Sequence, residues 1–300
     1  MNGPIIGVDW GTTNLRAFRF DAAGKVIDTK RANAGTSTVK DRAFEATLRD
    51  VLGDWLASDS RIIVSGMAGS REGWLEAPYL PCPANADDLA QALVRPDTTL
   101  DARIAPGLSA ARADGLVEIM RGEETQIFGA LEMRPATFVI APGTHSKWAH
   151  IESGRVISSR TCMTGEIYAV LKTHSILARL IDGDAPDAEA FAQGVKRSLR
   201  TNALLNLLFS VRSEGLFAHI APQSLAAYLS GLLIGAEIAE GFAEHSRASD
   251  TPILIIAAPE LGALYRAALA LAGFNYADII DGEAAAARGL WRLAQAGGGA

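Results

Sequence analysis

Ile5-Ile6-Gly7-Val8-Asp9-Trp10-Gly11-Thr12-Thr13-Asn14-Leu15-Arg16-Ala17-Phe18-Arg19-Phe20-Asp21 begins as an apolar run and ends that run in an acid. A Gly-Thr-Thr turn follows, and the chain returns through alternating apolar and basic residues. This pattern predicts two strands joined by a hairpin whose tip carries one carboxylate, two hydroxyls and exposed backbone N–H groups. Gly11 has no Cβ, so a phosphate can approach the backbone there and be cradled by turn N–H groups and the hydroxyls of Thr12 and Thr13. Asp9 is placed to hold a divalent cation, since Mg²⁺ favours a carboxylate and keeps much of its water. A structural hairpin with a polar tip is the alternative reading of the same residues.

A second copy favours function. Phe138-Val139-Ile140-Ala141-Pro142-Gly143-Thr144-His145-Ser146-Lys147-Trp148-Ala149-His150-Ile151 repeats the apolar run, the Gly-Thr turn and the returning strand. Each copy continues into a turn glycine and a third strand, Gly24-Lys25-Val26-Ile27 and Gly154-Arg155-Val156-Ile157. A repeat spaced by nearly half the chain predicts two like-built lobes, residues 1–135 and 136–300, each offering a phosphate-holding turn to one cleft. Ala141 stands where the first copy has Asp9, so only the first lobe has the metal-directed carboxylate.

The bulk properties fit such an enzyme. Three hundred residues, 49 % of them apolar, can bury a large core and suggest two domains. A net charge of −6, with no basic cluster, argues against nucleic acid as the main partner. Two lone cysteines, Cys82 and Cys162, lack metal-ligand spacing and suit a reduced cytoplasm. The early first strand leaves no room for a signal peptide. The most apolar stretch, Leu225 to Ala239, is too short to span a bilayer, includes Glu237 and reads as a core helix.

Between the hairpins, apolar spacing predicts an amphipathic helix from about Asp41 to Ala57 and a buried strand from Arg61 to Ser65. That strand runs into Gly66-Met67-Ala68-Gly69-Ser70-Arg71-Glu72-Gly73-Trp74, a loop of the kind in which α/β proteins place ligands. Arg71 can clamp a carboxylate, Glu72 can accept hydroxyl hydrogens and Trp74 can cover a sugar face; a surface ion pair beside a half-buried Trp is the alternative. Pro78 to Pro83 reads as an extended connector, and Arg103 to Pro106 as a short strand. In Met120-Arg121-Gly122-Glu123-Glu124-Thr125-Gln126, a glycine followed by acids marks a helix start. Either acid is also positioned to accept a hydroxyl proton as a base. After the second hairpin, Arg160 to Tyr168 opens a helix running to about Leu180, in which Thr164 and Glu166 read as cap residues or as ligands. Helices follow to His245, then a strand at Pro252–Ile256, helix, strand and final helix, with a frayed tail from Gly297.

These residues resemble a known family. Asp9 to Arg16 looks like the first phosphate motif of the sugar-kinase branch of the actin-like ATPases, and Ser70-Arg71-Glu72 resembles the polyol-binding loop of glycerol-kinase-like enzymes. Together with Met120 to Gln126 and Pro142-Gly143-Thr144-His145-Ser146-Lys147-Trp148, the chain is most similar to the 2-dehydro-3-deoxygalactonokinases over essentially its whole length. The resemblance implies two ribonuclease-H-like (actin-like) α/β lobes with a central cleft that closes on ATP, Mg²⁺ and a six-carbon 2-keto-3-deoxy sugar acid. It implies transfer of the γ-phosphoryl to the terminal hydroxyl, C6. Asp9 would take the metal. Gly11, Thr12, Thr13 and Arg16 would hold the transferring phosphate, and Gly143 and Thr144 the nucleotide phosphates. Arg71, Glu72, Trp74, Lys147, Thr164 and Glu166 would bind substrate. Glu123 or Glu124 would be the base, and spacing does not choose between them. Related kinases carry glycine in the turn before the adenosine-side helix; this chain has Ala257-Ala258-Pro259-Glu260. A kinase for another sugar or sugar acid, a non-catalytic nucleotide switch and an actin-like phosphatase are the competing readings, and a homodimer is left open.

Overall fold

The computed structural model describes residues 3–243 and 249–297. His245 and the tail beyond Gly297 therefore lie outside the described residues. In chain order the strands are β1 (Ile5–Trp10), β2 (Leu15–Phe20), β3 (Val26–Ala32), β4 (Arg61–Gly66), β5 (Tyr79–Pro81), β6 (Asp101–Ile104), β7 (Gly107–Ala111), β8 (Val117–Met120), β9 (Phe138–Ala141), β10 (Ser146–Glu152), β11 (Arg155–Cys162), β12 (Ile253–Ile256) and β13 (Ala277–Ile280). The helices are α1 (Phe44–Leu52), α2 (Ala86–Gln91), α3 (Glu123–Met133), α4 (Thr164–His174), α5 (Ala188–Ser198), α6 (Leu204–Leu216), α7 (Leu225–Gly241), α8 (Pro259–Leu271) and α9 (Gly282–Ala296).

Two five-stranded sheets have the same plan. One runs β3-β2-β1-β4-β6 and the other β11-β10-β9-β12-β13, so each hairpin is followed by a third strand on one side and by crossover strands on the other. In the first sheet β1 and β2 are antiparallel, with Asp9 opposite Arg16, while β4 runs parallel to β1 and sets Gly66 beside Trp10. In the second, β9 and β12 are parallel, with Phe138 opposite Ile253. The apolar runs of β1, β9 and β12 are buried on both faces, as expected of strands covered by helices on either side.

The chain divides into two compact units. The first contains Met1–Pro135, Ala149–Ser159 and Ile280–Ala300; the second contains Ala136–Trp148 and Arg160–Ile279. The core of the first is built from Ile6, Val8, Trp10, Leu48, Trp55, Ile62 and Val64. Phe138, Trp148, Phe191, Ile234, Phe242 and Tyr265 pack the core of the second.

Three elements depart from the sequence reading. The helix expected over 41–57 is confined to Phe44–Leu52, followed by a 3₁₀ turn at Gly53–Trp55. Asp41 and Arg42 have φ of 51° and 55°, and Gly53 has 52°, so left-handed residues bound it at both ends. The Pro78–Pro83 connector contains β5, which pairs in parallel with β7 in a small third sheet, β5-β7-β8. A three-residue strand leaves too little alternation to be seen in sequence. Arg160 to Cys162 ends β11, and the helix starts only at Thr164. Among the described residues, no helix is long and apolar enough to cross a membrane.

Candidate active site

Unit 1 gathers its chemistry where β1, β4 and α3 meet. Asp9 is the penultimate residue of β1 and is 6 % exposed. Its Oδ2 accepts a hydrogen bond of 2.6 Å from Arg16 Nη2, the residue opposite on β2. Burial pushes the Asp9 pKa above its ordinary value; the Arg16 charge and hydrogen bond oppose this, and nearby Glu283 adds to it. A cation placed beside a buried carboxylate of this kind would favour its charged form.

The turn beyond Asp9 is braced through its carbonyls. Gly11 N–H closes the hairpin on Asn14 O (2.9 Å). The carbonyls of Gly11, Thr12 and Thr13 accept from Thr36, Ser37 and Gly35, while both threonine side chains remain exposed. A cavity of about 620 Å³ opens on this turn, lined by residues 11–16 with Arg31 and Glu283. Glu283, on the first turn of α9, pairs with Arg31 (2.5 Å) and lies 3.7 Å from Arg16. Sequence reading passes over Arg31 and Glu283, because nothing local marks a residue brought in from the far end of the chain.

Gly66 ends β4 with φ of 91°, and Gly122 precedes α3 with φ of 101°. A Cβ on Gly66 would lie 2.7 Å from Trp10 O and 3.5 Å from Asp9 Oδ1, and one on Gly122 would lie 3.1 Å from Gly66 Cα. The three backbones can meet only because both positions are glycine. The contact sets the acids of α3 close to Asp9 in the fold. Glu123 and Glu124 both fold back on the helix start: Glu123 Oε2 accepts from Arg121 N–H (3.1 Å) and Glu124 Oε2 from Gly122 N–H (2.6 Å). Glu124 Oε1 also accepts from the Thr125 hydroxyl (3.1 Å). Glu124 is fully buried and Glu123 half-buried. Burial first, and then the neighbouring Glu123 charge, push the Glu124 pKa up to about 8 against the pull of its hydrogen bonds.

The loop after Gly66 is held from below by Arg121. Its Nη2 donates to Ala77 O (2.8 Å), its guanidinium lies 4.2 Å over the Tyr79 ring, and its Nη1 packs against Gly69. Arg71 points outward at 87 % side-chain exposure, 3.7 Å from Glu76, and Glu72 is also exposed. Trp74 is half-buried and lies edge-on to Trp10, with ring centroids 6.2 Å apart.

Unit 2 holds the second turn. Gly143, Thr144 and His145 are exposed. The turn is tied to the start of α4 by a 3.0 Å bond from Glu166 N–H to Thr144 O and by a 2.5 Å contact between His145 Nε2 and Glu166 Oε2. Gly165 abuts Gly143 O, which a Cβ would approach to 2.4 Å. Lys147 is buried, with its Nζ on Thr161 Oγ1 (3.0 Å), and Thr164 bonds the carboxylate of Glu237. The structure thus gathers Gly143, Thr144 and Glu166 on one surface, whereas Lys147 and Thr164 turn into the unit. A further cavity of about 290 Å³, lined by Tyr168, Asp184, Phe191, Ala227, Ser230 and Leu264, lies between α5 with the segment before it and α7, with α8 touching it only through Leu264.

The match to known proteins follows this geometry. The family model of 2-keto-3-deoxy-galactonokinase matches residues 9–293, from the acid of the first turn to near the end of α9. The chain belongs to the 2-keto-3-deoxy-galactonokinase family. It is 33 % identical over 298 residues to the 2-dehydro-3-deoxygalactonokinase of Escherichia coli K12, covering 99 % of both chains. The crystal structure of a proposed 2-dehydro-3-deoxygalactonokinase from Sinorhizobium meliloti superimposes with a TM-score of 0.91 at 35 % identity, covering 99 % of this chain and all of that one. Component A of the (R)-2-hydroxyglutaryl-CoA dehydratase of Acidaminococcus fermentans aligns with 98 % of each chain at a TM-score of 0.54 and 13 % identity, a likeness of fold alone. The galactonokinase-family chain therefore has the actin-like α/β fold that its sequence predicts.

Proposed function

We propose that this kinase transfers the γ-phosphoryl of ATP to the terminal C6 hydroxyl of 2-dehydro-3-deoxy-D-galactonate, giving the 6-phosphate and ADP. Family membership supports the substrate pair. The observation that carries the mechanism is Asp9: a buried carboxylate at the tip of one phosphate turn, with Ala141 at the same point of the other.

Phosphoryl transfer needs alignment and charge neutralisation more than covalent help. Asp9 suits Mg²⁺, which accepts a single carboxylate and completes its shell with water and substrate phosphates. When bound, the ion would neutralise phosphate charge. Arg16, then shared between Asp9 and Glu283, would turn toward the transferring phosphate, with Gly11, Thr12 and Thr13 beside it. Gly143 and Thr144 hold the nucleotide phosphates. The apolar cavity between α5 and α7 takes the adenine, in place of contacts from Ala257-Ala258-Pro259-Glu260.

Two acids compete for the role of base, and accessibility supports one of them. A base must come within hydrogen-bond reach of the hydroxyl it deprotonates. Glu124 has a pKa suited to proton transfer but is fully buried, with both oxygens engaged inside the unit. We assign the base to Glu123 and give Glu124 the task of fixing the start of α3. Arg71, Glu72 and Trp74 bind the sugar acid, Arg71 through its carboxylate, and Glu166 lies with the second turn.

A coupled ADP-release assay over sugar acids and neutral sugars tests the reading. Turnover with 2-dehydro-3-deoxy-D-galactonate is expected; turnover with neutral sugars only would sink it.

A further inference from the structure

Glu237 sits in α7, among Leu232, Leu233, Ile234 and Ile238, at 3 % exposure. A buried carboxylate is costly unless donors replace its water. Here Trp148 Nε1 donates to Oε1 and the Tyr265 hydroxyl to Oε2, each at 2.7 Å, and the hydroxyls of Thr164 and Ser146 also bond it. Burial raises its pKa above the ordinary Glu value while these donors oppose the shift.

The donors share a location. Ser146 and Trp148 open the strand that leaves the second turn, Thr164 opens the helix tied to that turn, and Tyr265 reaches in from α8. Ser146 Oγ lies 3.1 Å from Tyr265 Oη and accepts from Gly143 N–H at 3.4 Å.

We propose that Glu237 is a positioning residue for the nucleotide phosphates, acting through Tyr265 and Ser146 to fix the shape of the Gly143–Ser146 turn. An ionised carboxylate only accepts, so Tyr265 must donate to it. The single Ser146 proton likewise goes to an acceptor of this cluster, Glu237 itself or the Tyr265 oxygen, which leaves the Ser146 lone pairs facing Gly143 N–H. The direction of every hydrogen bond out to the turn is set by one buried charge. The inference rests on reading that turn as a holder of nucleotide phosphate.

Glu237→Gln keeps the shape but lets the side chain donate; Tyr265→Phe keeps the ring and removes the tyrosine arm of the relay. Calorimetric titration of the full chain with Mg-ADP, together with steady-state kinetics, reads the effect. Both variants are expected to raise the ADP Kd and the ATP KM roughly tenfold, the scale of one lost charge-assisted hydrogen bond. The KM for the sugar acid and kcat should stay within about twofold, and the double variant should be no worse than either single one, as for residues acting as one unit. If Glu237→Gln does not fold, Tyr265→Phe carries the test alone. An unchanged ADP Kd in a folded variant, or a lower Tm with kcat loss at constant ATP KM, overturns the proposal in favour of plain core packing. If the unaltered chain binds Mg-ADP but no sugar acid triggers ADP release, the substrate reading fails while the ADP Kd comparison still decides the relay. Absence of any Mg-ADP binding by the unaltered chain would overturn both.

Discussion

The two Gly-Thr turns share a backbone plan and differ in where they keep their acid. The first keeps its buried carboxylate at the strand end, Asp9, matched by Arg16 across the hairpin. The second has Ala141 there, and its acid, Glu237, lies inside the unit behind Ser146 and Tyr265. One turn is organised around a charge that can meet a cation, the other around a charge that never leaves the core. On the function proposed above, a repeated plan would supply two phosphate holders, with the metal chemistry at one of them.

The strongest way to break this comparison is Asp9→Asn. We expect kcat to fall roughly 10³-fold, as when an electrostatic stabiliser of the transition state is removed. Adding Ala141→Asp to that variant should restore nothing, because Arg16 pairs with Asp9 across the first hairpin and would still lack its carboxylate. Full activity of Asp9→Asn in a steady-state assay removes the metal role.

Next is Glu123→Gln, for which a fall in kcat of about 10²-fold is expected for loss of a positioned base. Glu124→Gln should cost less, and a larger loss there would reverse the assignment of the two acids. Third, Arg71→Ala should raise the sugar-acid KM about tenfold, equivalent to ~1.4 kcal/mol, with little change in the ATP KM. An unchanged value would make Arg71 an ordinary surface residue.

The smallest effect concerns stability and pH. Glu124 has a folded pKa of about 8, raised by burial, against an ordinary 4.5. Between those values the folded chain retains a proton that the unfolded chain has lost, so stability falls as pH rises across that window. The slope is at most about 1.4 kcal/mol per pH unit. Thermal melts of Glu124→Gln should therefore gain on the parent from pH 5 to pH 8 and run parallel above. A constant difference across that range would mean Glu124 is already ionised.

Much of the fold is legible in the sequence because the hairpins announce themselves locally. An apolar run stopped by Asp9 or Ala141, a Gly-Thr turn and an alternating return fix β1–β2 and β9–β10 without tertiary information. The two acids of Gly122-Glu123-Glu124 mark a helix start for the same reason. What the sequence hides is set by distant partners. Glu237 reads as one acid in an apolar helix, and that mismatch is the sole local sign of its buried network. Arg31 and Glu283, 252 positions apart, meet only through folding. Arg121 stands in a motif chosen for its neighbours, yet it is the side chain that braces the loop at Ala77 and Gly69. The small third sheet escapes notice because β5 has three residues.

The placement of α9 bears on how the polypeptide is made. Trp291, Leu290 and Ala285 are buried in unit 1, where α9 lies against α3 and β1. Gly129 and Gly289 let the two helix backbones touch. On the ribosome, the amino-terminal sheet must therefore wait, with Gly7 and the flank of α3 uncovered, until residues 282–296 have been made. A nascent chain stalled before residue 280 would expose that apolar seam to chaperones, and early termination there would cripple the unit that holds the amino-terminal sheet.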